Sequence, residues 1–99
     1  MIEFRVIEKE KFTLVHFELK ENLTPDFLQK LKPPKVDGRK GVILSGRGPI
    51  WLYCYLSHYY HPTRFIATFD PRFGGAVIVE SHSQDYKVGE VVKVNTNEL

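Results

Sequence analysis

Gly41-Val42-Ile43-Leu44-Ser45-Gly46-Arg47-Gly48-Pro49-Ile50-Trp51-Leu52-Tyr53 opens a unit that continues to His82 and decides the fold. Val42, Ile43 and Leu44 form a short apolar run that reads as a strand and stops at the turn Ser45-Gly46-Arg47-Gly48. Pro49 takes the first position of a segment with helical spacing, where the amide that proline lacks would have had no partner. The helix should run to about His61, because Pro62 disfavours helical geometry in the residue before it. Residues 64–69 and 75–80 read as strands joined by the hairpin Asp70-Pro71-Arg72-Phe73-Gly74. A strand that feeds a glycine-rich turn and then a helix N-terminus presents free amides and a positive dipole end, so phosphate is the natural guest there.

Upstream of this unit, residues 2–7 and 12–19 alternate as strands of an antiparallel hairpin around the charged link Glu8-Lys9-Glu10-Lys11. Thr24 followed by Pro25, Asp26, Phe27 and Leu28 has the pattern of an N-cap with proline at the first helical position. A short helix is therefore expected to about Leu31, where Pro33-Pro34 ends it. Residues 36–40 form a loop, and a last strand spans residues 88–94. The resulting order, ββαβαβββ, predicts a single α/β domain over residues 1–99 with two helices, a mixed sheet and a Rossmann-like core.

Composition narrows the field. The chain has 99 residues, 42% of them hydrophobic and 26% charged, which is ordinary for a globular domain and leaves oligomerisation as a source of extra burial. Fourteen Lys and Arg stand against twelve Asp and Glu, giving a formal charge of +2. The charge is scattered, so no basic stripe for duplex DNA is expected. The single cysteine, Cys54, can form no intramolecular disulfide, which suits a reducing cytoplasm. It reads as a small core residue. Neither a secretory signal pattern nor an apolar run long enough for a bilayer is visible.

The crossover helix dictates which residues can meet. The strands at 42–45 and 64–69 should be parallel, so Ser45-Gly46-Arg47 and Asp70-Pro71-Arg72 emerge at the same carboxyl edge of the sheet. His58 and His61, three apart and so on one helix face, belong to the opposite edge. Pairing of the last two strands of the unit around Phe73 brings His82 to Arg64 and to those histidines. A strand of six residues spans roughly 20 Å, so the two edges are either two sites or parts of one site completed by a second subunit.

Ser45-Gly46-Arg47-Gly48-Pro49-Ile50-Trp51-Leu52-Tyr53, His61-Pro62-Thr63, Phe69-Asp70-Pro71-Arg72 and the run from Gly75 to His82 together resemble the signature of the small CRISPR-associated csx-three ring nucleases. The likeness covers most of the second half of the chain, while the N-terminal part agrees in layout only. It implies a homodimer with the CRISPR-associated sensor-like fold, acting in type III antiviral defence. It further implies degradation of cyclic tetra-adenylate held between dimers stacked head to tail into tetramers or filaments, and manganese-dependent removal of adenylates from the 3′ end of single-stranded RNA.

A ring nuclease must position a ribose 2′-hydroxyl for in-line attack and stabilise the charge that develops. On that reading Ser45, Gly46, Arg47 and Gly48 bind phosphate through backbone amides, and Arg72 grips a phosphate oxygen. Asp70 orients Arg72, polarises the ribose hydroxyl or binds metal, and His61 of the facing subunit is the general acid or base. His58, His61 and His82, with Asp70 from a neighbour, are donors acceptable to manganese. The blander readings are a plain tight turn at Ser45–Gly48, an Asp-turn at Asp70, and helix-end capping by the histidines. Trp51, Tyr55 and the Tyr59-Tyr60 pair could stack on adenines, but aromatic residues on a helix are more often core or dimer interface and most of these read as interface; His16 reads as a structural residue among apolar neighbours. The competing class is a binding module that captures the cyclic nucleotide or an RNA end without cutting it. A third reading is a regulatory domain separated from its effector.

Overall fold

The computed structural model describes residues 2–95 and residue 97. Six strands form one mixed sheet: β1 (Ile2–Glu8), β2 (Phe12–Leu19), β3 (Gly41–Ser45), β4 (Phe65–Asp70), β5 (Gly75–Ser81) and β6 (Val91–Lys93). Their order across the sheet is the order along the chain. β1 and β2 are an antiparallel hairpin, β2, β3 and β4 are mutually parallel, and β5 and β6 return antiparallel. A Rossmann fold reverses its strand order at a switch point and carries helices on both faces. Here the order does not reverse. The two crossovers also share one face, because Leu31 and the partly buried Phe27 and Leu28 join Leu52, Leu56 and Tyr60 in one cluster over Val15, Phe17, Val42, Leu44 and Ile66.

Where two helices were expected, the described residues form one α-helix, α1 (Ile50–Tyr59). Residues Pro25–Gln29 form a 3-10 turn instead. Its bonds span three residues, from Phe27 N to Thr24 O and from Lys30 N to Phe27 O, each 2.9 Å. The Thr24 hydroxyl is drawn to the Asp26 carboxylate rather than to a backbone amide, so the expected cap is missing. With Pro33-Pro34 closing the segment, too few residues remain to repay helix nucleation. Pro49 is the N-cap of α1 rather than its first helical residue, and its carbonyl accepts from Leu52 N at 3.1 Å. β6 begins at Val91, because Gly89 has a φ of +96° and the chain around it is not extended.

All five residues of β3 are buried, which is how a central parallel strand reads as an unbroken apolar run. Beneath the helix-free face, Leu14, Ile43, Phe65, Ala67, Ala76 and Ile78 pack with Val94 and the half-buried Tyr86. Both faces of the sheet centre are therefore covered, the second by the C-terminal segment. Cys54 is exposed, contrary to the core assignment, because it lies on the outward side of α1 with Ile50, which is 82% exposed. No helix among the described residues is long and apolar enough to cross a membrane.

Candidate functional site

At the carboxyl edge, the end of β3 is held from two sides. Gly46 has a φ of +132°, and a Cβ there would lie 2.3 Å from the Phe17 carbonyl oxygen, so only glycine fits the turn. Tyr53, one turn into α1, donates its hydroxyl to the Gly46 carbonyl at 2.6 Å, and burial pushes its phenol up to about 12. The parallel register sets His16 opposite Ser45. His16 Nδ1 and Ser45 Oγ share a hydrogen bond of 2.8 Å. Ser45 is only 1% exposed, so what the turn offers to an anion is its backbone and the exposed Arg47 guanidinium. His16, Ser45, Arg47, Tyr53 and Phe69 line a depression of ≈ 250 Å³. His16 is thus a member of this edge that its apolar sequence setting concealed; the pairing that reveals it is non-local.

Asp70 ends β4 beside this depression and caps the short turn Pro71–Phe73. Its Oδ1 accepts from Arg72 N at 3.0 Å, and its Oδ2 from Arg72 Nη2 at 2.7 Å. The side-chain bond from Arg72, aided by the backbone bond, holds the Asp70 carboxyl below the usual range, and Asp70 in turn raises Arg72. The fork uses Nε and one Nη2 proton, leaving Nη1 and the second Nη2 proton able to meet a phosphate. Arg72 also lies 5.5 Å from the exposed Phe73 ring, which limits where its fork can point.

The opposite edge is built by an irregularity. Between Ile66 and Ala67 the β4–β5 register slips, so that Ala67 faces Ile78 but Ile66 faces Glu80. Directly paired residues share a face, and Ile66 belongs to the helix side. The bulge therefore turns Glu80, and with it His82, towards the end of α1, where His61 waits. His61 Nδ1 lies 2.9 Å from Glu80 Oε1, His82 Nε2 lies 3.9 Å from the same oxygen, and the two rings meet edge to face at 4.9 Å. Ligand atoms of His61, Glu80 and His82 all fall within 4.8 Å of one another.

The donor set read from the sequence, His58, His61, Asp70 and His82, is only half assembled in one chain. α1 ends at Tyr59, so His61 lies beyond it and does not share a helix face with His58, which is exposed and outside the cluster. Asp70 sits at the far end of β4, paired with Gly75, whereas the histidine edge lies by the pair Phe65–Ser81. Glu80 was missed. Its spacing two residues before His82 at the end of β5, which in extended chain puts both on one face, is the available signal.

Residues 16–93 match the family described as CRISPR-associated protein (Cas_csx3). The chain belongs to that family. A relative in Aquifex aeolicus (strain VF5), described as an uncharacterized protein, is 55% identical over 85 residues, covering 82% of this chain and 77% of the relative. Within the csx3 match lie both edges, from His16 at its first residue through the glycine turn, α1 and the β4–β5 bulge. A CRISPR-associated role follows from membership.

Proposed function

We propose that this csx3 protein is a phosphodiesterase that degrades cyclic tetra-adenylate in type III CRISPR defence, its site assembled in trans between head-to-tail copies. The observation that carries the reading is the separation of two incomplete half-sites. Arg47, Arg72 and Asp70 stand at one end of the parallel strands and His61, Glu80 and His82 at the other. The carboxyl edge presents exposed guanidinium groups, while its imidazole, His16, is 14% exposed and bonded to Ser45; the exposed imidazoles of His61 and His82 lie at the other edge.

On this reading, the Gly46–Gly48 backbone and Arg47 hold one phosphate, while the free N–H groups of Arg72 meet the scissile one. Asp70, kept ionised by Arg72, fixes the guanidinium plane and accepts from a ribose hydroxyl that approaches it. His61 of the facing copy exchanges the proton, oriented by its bond to Glu80. Two imidazoles and a carboxylate converging within 4.8 Å are a donor set that divalent first-row ions accept, manganese among them, with His61, Glu80 and His82 as the holders. When bound, such an ion supplies electrostatic stabilisation of an oxyanion. Manganese-dependent trimming of an adenylate 3′ end is the second reading, compatible with that donor set, and the non-catalytic binding module is the third. The outward side of α1, with Ile50 and Cys54 uncovered beside half-buried Trp51, is the surface we assign to a homodimer. A cytoplasmic setting suits the free Cys54 thiol.

The test is complementation. His61→Ala and Arg72→Ala should each lose turnover of cyclic tetra-adenylate, and a mixture of the two should regain part of it, because some interfaces then join two intact edges. Product analysis on the ring and on an adenylate-tailed RNA, with and without manganese, separates the readings. No recovery in the mixture, with both single variants inactive and folded, would sink the trans site.

A further inference from the structure

His61 has a tyrosine pair before it and a proline after it, and these neighbours wall a second depression, of ≈ 310 Å³, against the loop at residues 35–38. Both walls are fixed. Tyr60 is buried and donates its hydroxyl to the Pro34 carbonyl at 2.6 Å, tying the end of α1 to the loop. The Thr63 hydroxyl donates to the Tyr60 carbonyl at 2.7 Å. On the loop side Lys40 N donates to Asp37 O at 3.1 Å. Tyr59 is 41% exposed, and its ring stands at 87° to that of Tyr60 with centroids 5.0 Å apart, so the pair is braced. Gly38 leaves the floor open, since a Cβ there would meet only the Pro62 carbonyl oxygen, at 3.9 Å.

The chemistry of the lining is selective. It is mainly aromatic and aliphatic, from Tyr59, Tyr60, Pro62 and Val36 with Thr63 beside them; Lys35 is the one charged residue in the lining, and no acidic residue is there. The nearest acid in sequence, Asp37, is taken up by Arg39 through bonds of 3.1 and 3.0 Å. An aromatic, acid-free slot with a cation suits a flat heterocycle that carries an anion. His61 stands between Tyr60 and Pro62 in the chain, so the slot adjoins the backbone that carries the His61–Glu80–His82 group, although His61 is not among its lining residues.

We propose that this slot is a nucleobase subsite, in which a base of the substrate stacks on Tyr59 and Lys35 meets the phosphate attached to it. The proposal rests on the adenylate reading for the identity of the base and adds the residues that seat it. Stacking on an aromatic ring is sequence-tolerant, so Tyr59 supplies affinity rather than discrimination between bases.

The test uses adenosine 5′-monophosphate and adenosine as probes, followed by NMR shifts, on the whole protein and its Tyr59→Ala, Tyr59→Trp and Lys35→Ala variants. Melting curves confirm that each is folded. Replacing a stacking ring by alanine should weaken adenosine 5′-monophosphate binding about ten-fold, whereas Tyr59→Trp should retain it. Lys35→Ala should weaken the phosphorylated probe and leave adenosine unchanged. In turnover, Tyr59→Ala should raise KM with little change in kcat. Unchanged probe binding and KM in Tyr59→Ala, or equal losses in the Ala and Trp variants, would overturn the subsite even in an active ring nuclease. Loss of probe binding in a protein that cuts neither ring nor tail would uphold the subsite and defeat the nuclease reading.

Discussion

Replacing Gly46 by alanine tests how the carboxyl edge is held. Its φ of +132° lies where L-residues are rarely found, and placing alanine there costs about 1–3 kcal/mol. The added Cβ would also sit 2.3 Å from the Phe17 carbonyl oxygen and 2.9 Å from its ring. Phe17 cannot withdraw, because it is fully buried and its strand is paired on one side with β1 and on the other with β3. Shifting such a neighbour adds about 1–3 kcal/mol. The sum, about 4 kcal/mol, should lower the melting temperature by about 15–30 °C in a domain of this size. Gly74→Ala is the internal control: its φ is +64° but no atom lies within 4 Å of the added Cβ, so it bears only the left-handed penalty of about 1–2 kcal/mol. Thermal melts and urea midpoints on the two variants separate steric exclusion from backbone preference. Equal losses in the two, or a Gly46→Ala protein that melts within a few degrees of the parent, would refute the reasoning.

Tyr53→Phe removes the bond to Gly46 and should cost about 1 kcal/mol. It should also delete a late phenolate step in an alkaline absorbance titration. The folded phenol is raised to about 12, so its contribution is full below the ordinary value near 10 and is lost as pH climbs towards 12. His16→Ala strands the buried Ser45 hydroxyl and should cost about 1–3 kcal/mol. Adding Ser45→Ala to it should cost less than the two single losses summed, and strict additivity in denaturant unfolding would count against the pair. Glu80→Gln should abolish the paramagnetic broadening that manganese causes at His61 and His82, whereas Asp70→Asn in dilute protein should leave it intact. The reverse pattern would move the metal to the carboxyl edge.

Local signals in the chain were enough for the strands and for the direction of the crossover. The alternation at residues 12–19 marks β2, and the short apolar run Val42–Leu44 marks β3. A helix between that run and residues 64–69 required a parallel pair, and so put Arg47 and Arg72 at one edge and His61 and His82 at the other. What escaped was non-local. The β2–β3 register that sets His16 against Ser45 depends on two strands separated by the whole first crossover. The bulge opposite Ile66 has no glycine or proline to announce it, and without it an alternating β5 would point Glu80 away from His61. The 3-10 turn at Pro25–Gln29 had helix-like punctuation, but its threonine found an aspartate before it found an amide.

The separation of the edges dictates how the proposed activity would be controlled. β4 spans six residues between the Asp70–Gly75 pair and the Phe65–Ser81 pair, roughly 20 Å of extended chain that no side-chain rotation bridges. If His61 and Arg72 act on one phosphate, they must come from different copies, and the active form exists only where two copies meet end to end. Anionic substrate bridging the guanidinium groups and the histidine edge would itself draw the copies together. Turnover should then rise more steeply than linearly with protein concentration when substrate is scarce, and approach linearity once substrate saturates the interface. A single-copy site gives proportionality under both conditions, so specific activity that stays constant on dilution at low substrate would refute the shared site.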